Sequence, residues 1–249
     1  MNYVRLLEEE KVLQKHVIAL DYDTHEQHQS SVKFGDFDPA MTKDEKLYVV
    51  PNAGHSKWAL TVTGAAFGDK QVSQDEKLAF IDSGNVTIQL PRDVYDQVYG
   101  EIKKLQYDHV KFREQYEFGQ KVKIIKVNTE CDDIVDDLPT LKLNVAPGLV
   151  VVLEPRSYVF PPKEGEFHCR ISLAASNENV YRLGTQFLKN FYTVLDFDGK
   201  QIMLGSKSKH ADVFGDESLI YQEPQPEPIP DPEPEPQPEQ PDDDEHKDD

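Results

Sequence analysis

Short β-rich runs parted by Gly, Pro and Asp recur along most of this chain and leave it little choice but a body built of sheets. Val17-Ile18-Ala19-Leu20, Ser31-Val32-Lys33-Phe34 and Tyr48-Val49-Val50 are the first of them. Trp58-Ala59-Leu60-Thr61-Val62 alternates apolar with small or polar residues, as a half-buried strand should, and Gly68-Asp69 predicts a turn before Gln71-Val72. Lys77-Leu78-Ala79-Phe80-Ile81 is nearly all apolar, the mark of a strand buried on both faces. Val86-Thr87-Ile88-Gln89-Leu90 alternates again, and further strands are predicted at residues 121–127, 141–145, 150–153 and 158–160. Asp198-Gly199, between runs at 192–197 and 201–204, is the clearest hairpin signal in the chain. Three short helices are expected. One spans residues 3–15, with Val4, Leu7 and Val12 roughly on one side. Another runs from Pro91 to about residue 104, with Pro in the first turn where a missing N–H costs little. The third lies near residues 186–191. The expected fold class is mainly β.

Charge narrows the partners. Residues 221–249 hold twelve Asp or Glu against one Lys, which is −11 of the total −19, and nine of the 17 prolines lie there. Alternating Pro removes backbone donors and like charges repel, so this stretch cannot build a core. An extended acidic tail is expected over 210–249, its composition plainest from residue 222. Such a charge repels phosphates, so no nucleic-acid partner is expected. No run approaches the roughly 18 apolar residues of a membrane-spanning helix. The first residues have no cationic head and no apolar core, so no signal peptide is expected in this chain. Two cysteines, Cys131 and Cys169, are equally compatible by composition with free thiols or a disulfide.

Chemistry is concentrated in Leu78-Ala79-Phe80-Ile81-Asp82-Ser83-Gly84. An apolar strand ending in Asp is unusual, because an ionised carboxylate is costly inside unless bonded or paired. Apolar-apolar-Asp-Ser/Thr-Gly is also the active-site signature of pepsin-like aspartic proteases, and residues 79–84 resemble it. The resemblance covers residues 4–206. Ser31-Val32-Lys33-Phe34-Gly35-Asp36-Phe37-Asp38 is similar to the turn that opens the second lobe in that family, and Trp58-Ala59-Leu60-Thr61-Val62 to the strand after it. Leu138-Pro139-Thr140 and Leu153-x-Pro155-x-x-Tyr158 resemble the second-lobe cysteine loop. Residues 181–196, Tyr-Arg-Leu-Gly-Thr-Gln-Phe-Leu-Lys-Asn-Phe-Tyr-Thr-Val-Leu-Asp, resemble the closing run, apolar-Leu-Gly-x-x-Phe-Leu-x-x-Tyr-Tyr-x-Val-Phe-Asp.

The resemblance implies a pepsin-like second lobe at 16–209, preceded at 1–15 by the end of a first lobe. Asp82 would be the second-lobe catalytic aspartate, and the hydroxyl of Ser83 would brace paired active-site loops. Phe80, Gly84 and Asn85 would meet substrate. Leu183-Gly184 would cross behind the aspartate loop, and Cys131 and Cys169 would form a disulfide, implying a secreted or lysosomal/vacuolar lumen. Asn85 departs from the usual Thr or Ser, whose hydroxyl bonds the aspartate, although an amide can donate the same bond. Asn85-Val86-Thr87 is a formal glycosylation sequon, which a position inside the cleft argues against.

Family chemistry uses two carboxylates sharing one proton to activate water, so neither metal nor cofactor is expected. Only one Asp-Ser/Thr-Gly segment exists here. The expectation is an aspartic endopeptidase half, inactive alone, acting on protein or peptide substrate with a first lobe. A peptide-binding pseudoprotease and a homodimer pairing two copies of Asp82 are the alternatives. His25-x-x-His28, amid acids, reads as a solvated loop before it reads as a metal site.

Overall fold

The computed structural model describes residues 6–7, 9–13, 15–23, 30–105, 112–117, 122–160 and 169–223. In chain order the strands are β1 (Val17–Asp21), β2 (Ser31–Phe34), β3 (Tyr48–Pro51), β4 (Ala59–Phe67), β5 (Lys70–Ser73), β6 (Lys77–Ile81), β7 (Ile88–Leu90), β8 (Phe112–Glu117) and β9 (Val122–Val127). They continue as β10 (Leu141–Val145), β11 (Leu149–Leu153), β12 (Val159–Phe160), β13 (Cys169–Ile171), β14 (Leu173–Ala175), β15 (Tyr181–Leu183), β16 (Phe191–Asp196), β17 (Gln201–Ser206) and β18 (Ala211–Phe214). Helices α1 (Arg92–Ile102), α2 (Pro155–Tyr158) and α3 (Thr185–Leu188) interrupt them. The body is mainly β, as expected.

Three sheets form. An antiparallel one runs β2-β1-β16-β17-β3, and a small one runs β12-β13-β9-β8. The largest runs β14-β7-β15-β6-β4-β10-β11-β18, with β5 on β4. It contains two parallel pairs, β14 with β7 and β15 with β6, so the strand carrying the Asp82 motif is flanked by the closing run. Period-two alternation explains most of this. In β10, Leu141, Leu143 and Val145 are buried while Lys142 and Asn144 are exposed. Strand β16 is buried on both faces: Phe191 and Leu195 join the main core, and Tyr192 and Val194 join a second cluster with Val17, Phe37 and Met203. Helix α1 presents Val94, Tyr95, Val98 and Ile102 inward, the spacing of one helical face.

Several expectations shift. The helix expected over 3–15 stops by Lys11, whose φ of 54° is left-handed, and Val12 is exposed instead of packed. The strand expected from residue 86 begins only at Ile88, because the carbonyls of Val86 and Thr87 are taken by N–H groups of residues 186 and 184. Tyr158 ends α2 instead of opening a strand, and Phe191 belongs to β16 instead of the preceding helix. Strand β6 is not buried on both faces: Lys77 and Ala79 are buried, but Leu78 and Phe80 are half-open. The folded body also continues past residue 209, where the tail was expected. Strand β18 pairs with β11, and Tyr221 stacks edge-on against Phe37. The short apolar alternation of residues 211–214 was masked by the acidic composition that follows it. Among the described residues no helix is long and apolar enough to cross a membrane. His25 and His28, the cysteine-loop residues 161–168 and residues 224–249 lie outside the described residues.

Candidate active site

Strand β6 delivers Asp82 one residue past its last paired position. Its far end is anchored by Lys77, buried, whose ammonium meets the Asp93 carboxylate at 2.5 Å at the start of α1. Partial burial works to raise the Asp93 carboxyl. The hydrogen bond and charge of Lys77 and the N–H of Val94 outweigh it and hold the group below the ordinary carboxylate range.

The backbone of Asp82 is fixed on both sides. Its N–H donates to the Leu183 carbonyl at 3.0 Å, and its carbonyl accepts from the Asn85 N–H at 3.0 Å. Behind the turn, the chain of residues 184–186 crosses residues 85–87. Gly184 N–H donates to Thr87 O (3.2 Å), Thr185 N–H to Asn85 O (2.7 Å) and Gln186 N–H to Val86 O (3.1 Å). Three loop carbonyls are therefore met by backbone N–H groups at the start of α3, groups that have no partner within the helix itself. The crossing is tight: a β-carbon on Gly184 would lie 2.3 Å from Thr87 O and 2.4 Å from Asn85 O. Leu183 and Gly184 thus lie against the aspartate turn.

The carboxylate of Asp82 has two partners among the described residues. Gly84 N–H donates to one oxygen at 3.3 Å, and the Arg182 guanidinium meets the other at 3.2 Å. Asn85 is not a partner. Its amide donates to Thr87 O (3.2 Å), and its side-chain oxygen accepts from the N–H and hydroxyl of Thr87 and from Gln89, so the longer arm is spent stitching the loop together. Ser83 is exposed and its hydroxyl makes no hydrogen bond among the described residues; the bracing role expected of it requires a second loop. Gly84 is exposed too, and a β-carbon there would meet only an Asp82 oxygen, at 3.5 Å. Phe80 is half-buried, with the Lys57 ammonium 5.3 Å from its ring centre. Cys131 and Cys169 are joined in a disulfide.

Arg182 is the residue that sequence reading missed. It is opposite Phe80 in the β15–β6 ladder and opposite Gln89 in the β15–β7 ladder, so the three side chains share one sheet face. Its guanidinium spans Asp82 and, at 2.9 Å, Glu178. The signal was present: Arg182 stands where the closing run has an apolar residue. Its neighbour Tyr181 is buried and its phenol is pushed up to about 12, so it is neutral.

Comparison with known proteins gives the family. The profile of the eukaryotic aspartyl proteases matches residues 1–207. The chain belongs to that family. It is 22% identical over 209 residues to the probable aspartic-type endopeptidase CTSD of Arthroderma otae, covering 82% of this chain and 50% of that protein. It is 24% identical over 212 residues to the Arthroderma benhamiae protein of the same name, covering 82% and 37%. To aspartic proteinase-like protein 1 of Arabidopsis thaliana it is 22% identical over 200 residues, covering 78% and 34%. The chain spans about half or less of the length of these relatives. Family membership and the disulfide fit a secreted or lysosomal/vacuolar compartment.

Proposed function

We propose that this chain supplies one half of the catalytic centre of an aspartic endopeptidase, with Asp82 as one of two carboxylates that activate water for attack on a peptide bond. The observation that carries this reading is the position of Asp82 at the end of β6. Its side chain is partly exposed (31%), while its backbone is tied to Leu183 and Asn85. A carboxylate acting as general base must reach its water, and two carboxylates must lie close enough to share a proton. The second would come from a first lobe, whose own loop would also receive the Ser83 hydroxyl. With Asp82 alone no proton is shared, so residues 1–249 by themselves turn over no peptide. The Cys131–Cys169 disulfide and the family fit a secretory, lysosomal or vacuolar lumen for such chemistry.

A second reading has its own observation. Arg182 holds one oxygen of Asp82, an oxygen that water or a partner carboxylate would otherwise use, which favours a cleft that binds peptides without cutting them. Expression of the longest transcript containing this chain, beside residues 1–249 alone, separates the two. The first reading expects peptide cleavage by the longer product only, abolished by Asp82→Asn. Binding without turnover by both supports the second. Cleavage by residues 1–249 that rises with the square of concentration would instead indicate paired copies of Asp82.

A further inference from the structure

We infer that Arg182 is a recognition site for a peptide carboxylate, occupied in this structure by the chain's own Glu178. The inference rests on the peptide-handling reading above, and it holds whether or not the peptide is cut. Arg182 lies on the half-open face of the large sheet beside Phe80 and Gln89, next to Asp82. Its side chain is only 22% exposed, so it is partly desolvated and its hydrogen bonds to anions are strengthened. The planar fork carries five N–H donors, suited to binding carboxylates in a fixed geometry.

The two acids on this fork are unlike each other. Asp82 comes from the braced end of β6, its backbone tied to Leu183 and Asn85, and it fixes the guanidinium from one side. Glu178 is on the connection between β14 and β15, with its side chain 60% exposed and its carboxylate on the other terminal nitrogen at 2.9 Å. Exposed ion pairs are weak and exchange readily with solvent or competing ions. Glu178 therefore presents to Arg182 the same group that an acidic peptide would present, from a position where it can be displaced. Lys57, over the neighbouring Phe80 ring, adds a second positive charge to this face. On a chain of net charge −19, Arg182 and Lys57 balance Asp82 and Glu178 locally, and displacement of Glu178 leaves one positive charge in excess on this face, which favours an acidic ligand.

The test uses the full chain and short fluorescent peptides that differ only in a Glu or Gln walked through each position, with free or amidated C-termini, read by anisotropy. The expected result is about tenfold tighter binding of the acidic peptide at one position, or of the free C-terminus. The preference should weaken with salt, disappear in Arg182→Met and survive in part in Arg182→Lys, which keeps the charge and guards against a folding artefact. Glu178→Gln, at an exposed position, should strengthen the preference by removing the internal competitor. Equal affinity for acidic and neutral peptides, or a Glu178→Gln variant that leaves the preference unchanged, overturns the inference and leaves the peptide-handling reading standing. Absence of binding to any peptide, by the longest transcript product as well as by this chain, overturns both.

Discussion

The front and the back of the aspartate turn are built on opposite terms. At the front, Asp82, Ser83 and Gly84 carry the family signature, yet they contribute little to the lobe itself. Ser83 and Gly84 are exposed, the Ser83 hydroxyl has no bond among the described residues, and Gly84 has room for a side chain. At the back, residues 85–87 and 183–186 are locked by three inter-segment backbone bonds, a buried Thr87 and a glycine with no space for a methyl group. The difference teaches that the signature holds two kinds of residue. Its back half is required by the fold of this lobe. Its front half contributes little to that fold, which supports our proposal that it meets a second loop, a water or a peptide.

Substitutions at the two glycines probe that division most sharply. Gly184→Ala forces a carbon against two backbone oxygens that cannot retreat without breaking the crossing, and should cost about 4 kcal/mol in denaturant unfolding. A cost below about 1 kcal/mol would mean that the crossing is loose and the division false. An intermediate effect is expected at the other end of β6. Asp93→Asn strips the buried Lys77 of its counter-charge and should cost roughly 1–2 kcal/mol at neutral pH, less than a fully buried pair because half of the Asp93 carboxylate meets water. The sign with pH follows from the shift: a carboxyl held below its unfolded value stabilises above that value and loses its contribution as pH falls through the folded one. The difference between wild type and Asp93→Asn should therefore be full at neutral pH and shrink in urea titrations as pH falls below the ordinary carboxylate range and through the lowered folded value. The smallest effect belongs to Gly84→Ala, where the added carbon makes only ordinary contact. Stability should change by less than about 0.5 kcal/mol. If Gly84 approaches a second loop or a substrate, peptide binding or cleavage should suffer while folding does not.

The fold was legible where strands alternate between core and solvent, as in β10, and where Asp198-Gly199 closes the β16–β17 hairpin. It was less legible where tertiary contact overrides local pattern. Val86 and Thr87 read as strand but spend their carbonyls on the crossing segment, and β6 reads as doubly buried although Leu78 and Phe80 face an incompletely covered side. Strands β13, β14 and β15 have three residues each, too short for periodicity to register, and depend on their neighbours in the sheets. At the site, motif order was enough to bring Asp82 beside Leu183-Gly184, because both belong to one contiguous resemblance. The partner of the Asp82 carboxylate was a different matter. Asn85 has the right chemistry and is near in sequence, but its amide satisfies the loop. Arg182, a hundred residues away, reaches the carboxylate through the parallel pairing of β15 with β6, which no local pattern announces.

We propose that Asp82 serves chemistry and not the fold, and peptide turnover by the Asp82→Asn variant of the longest transcript product decides between the two. Cleavage at background level is expected, from a protein that unfolds at the same denaturant concentration as the wild type within error. Turnover that survives the substitution would contradict it.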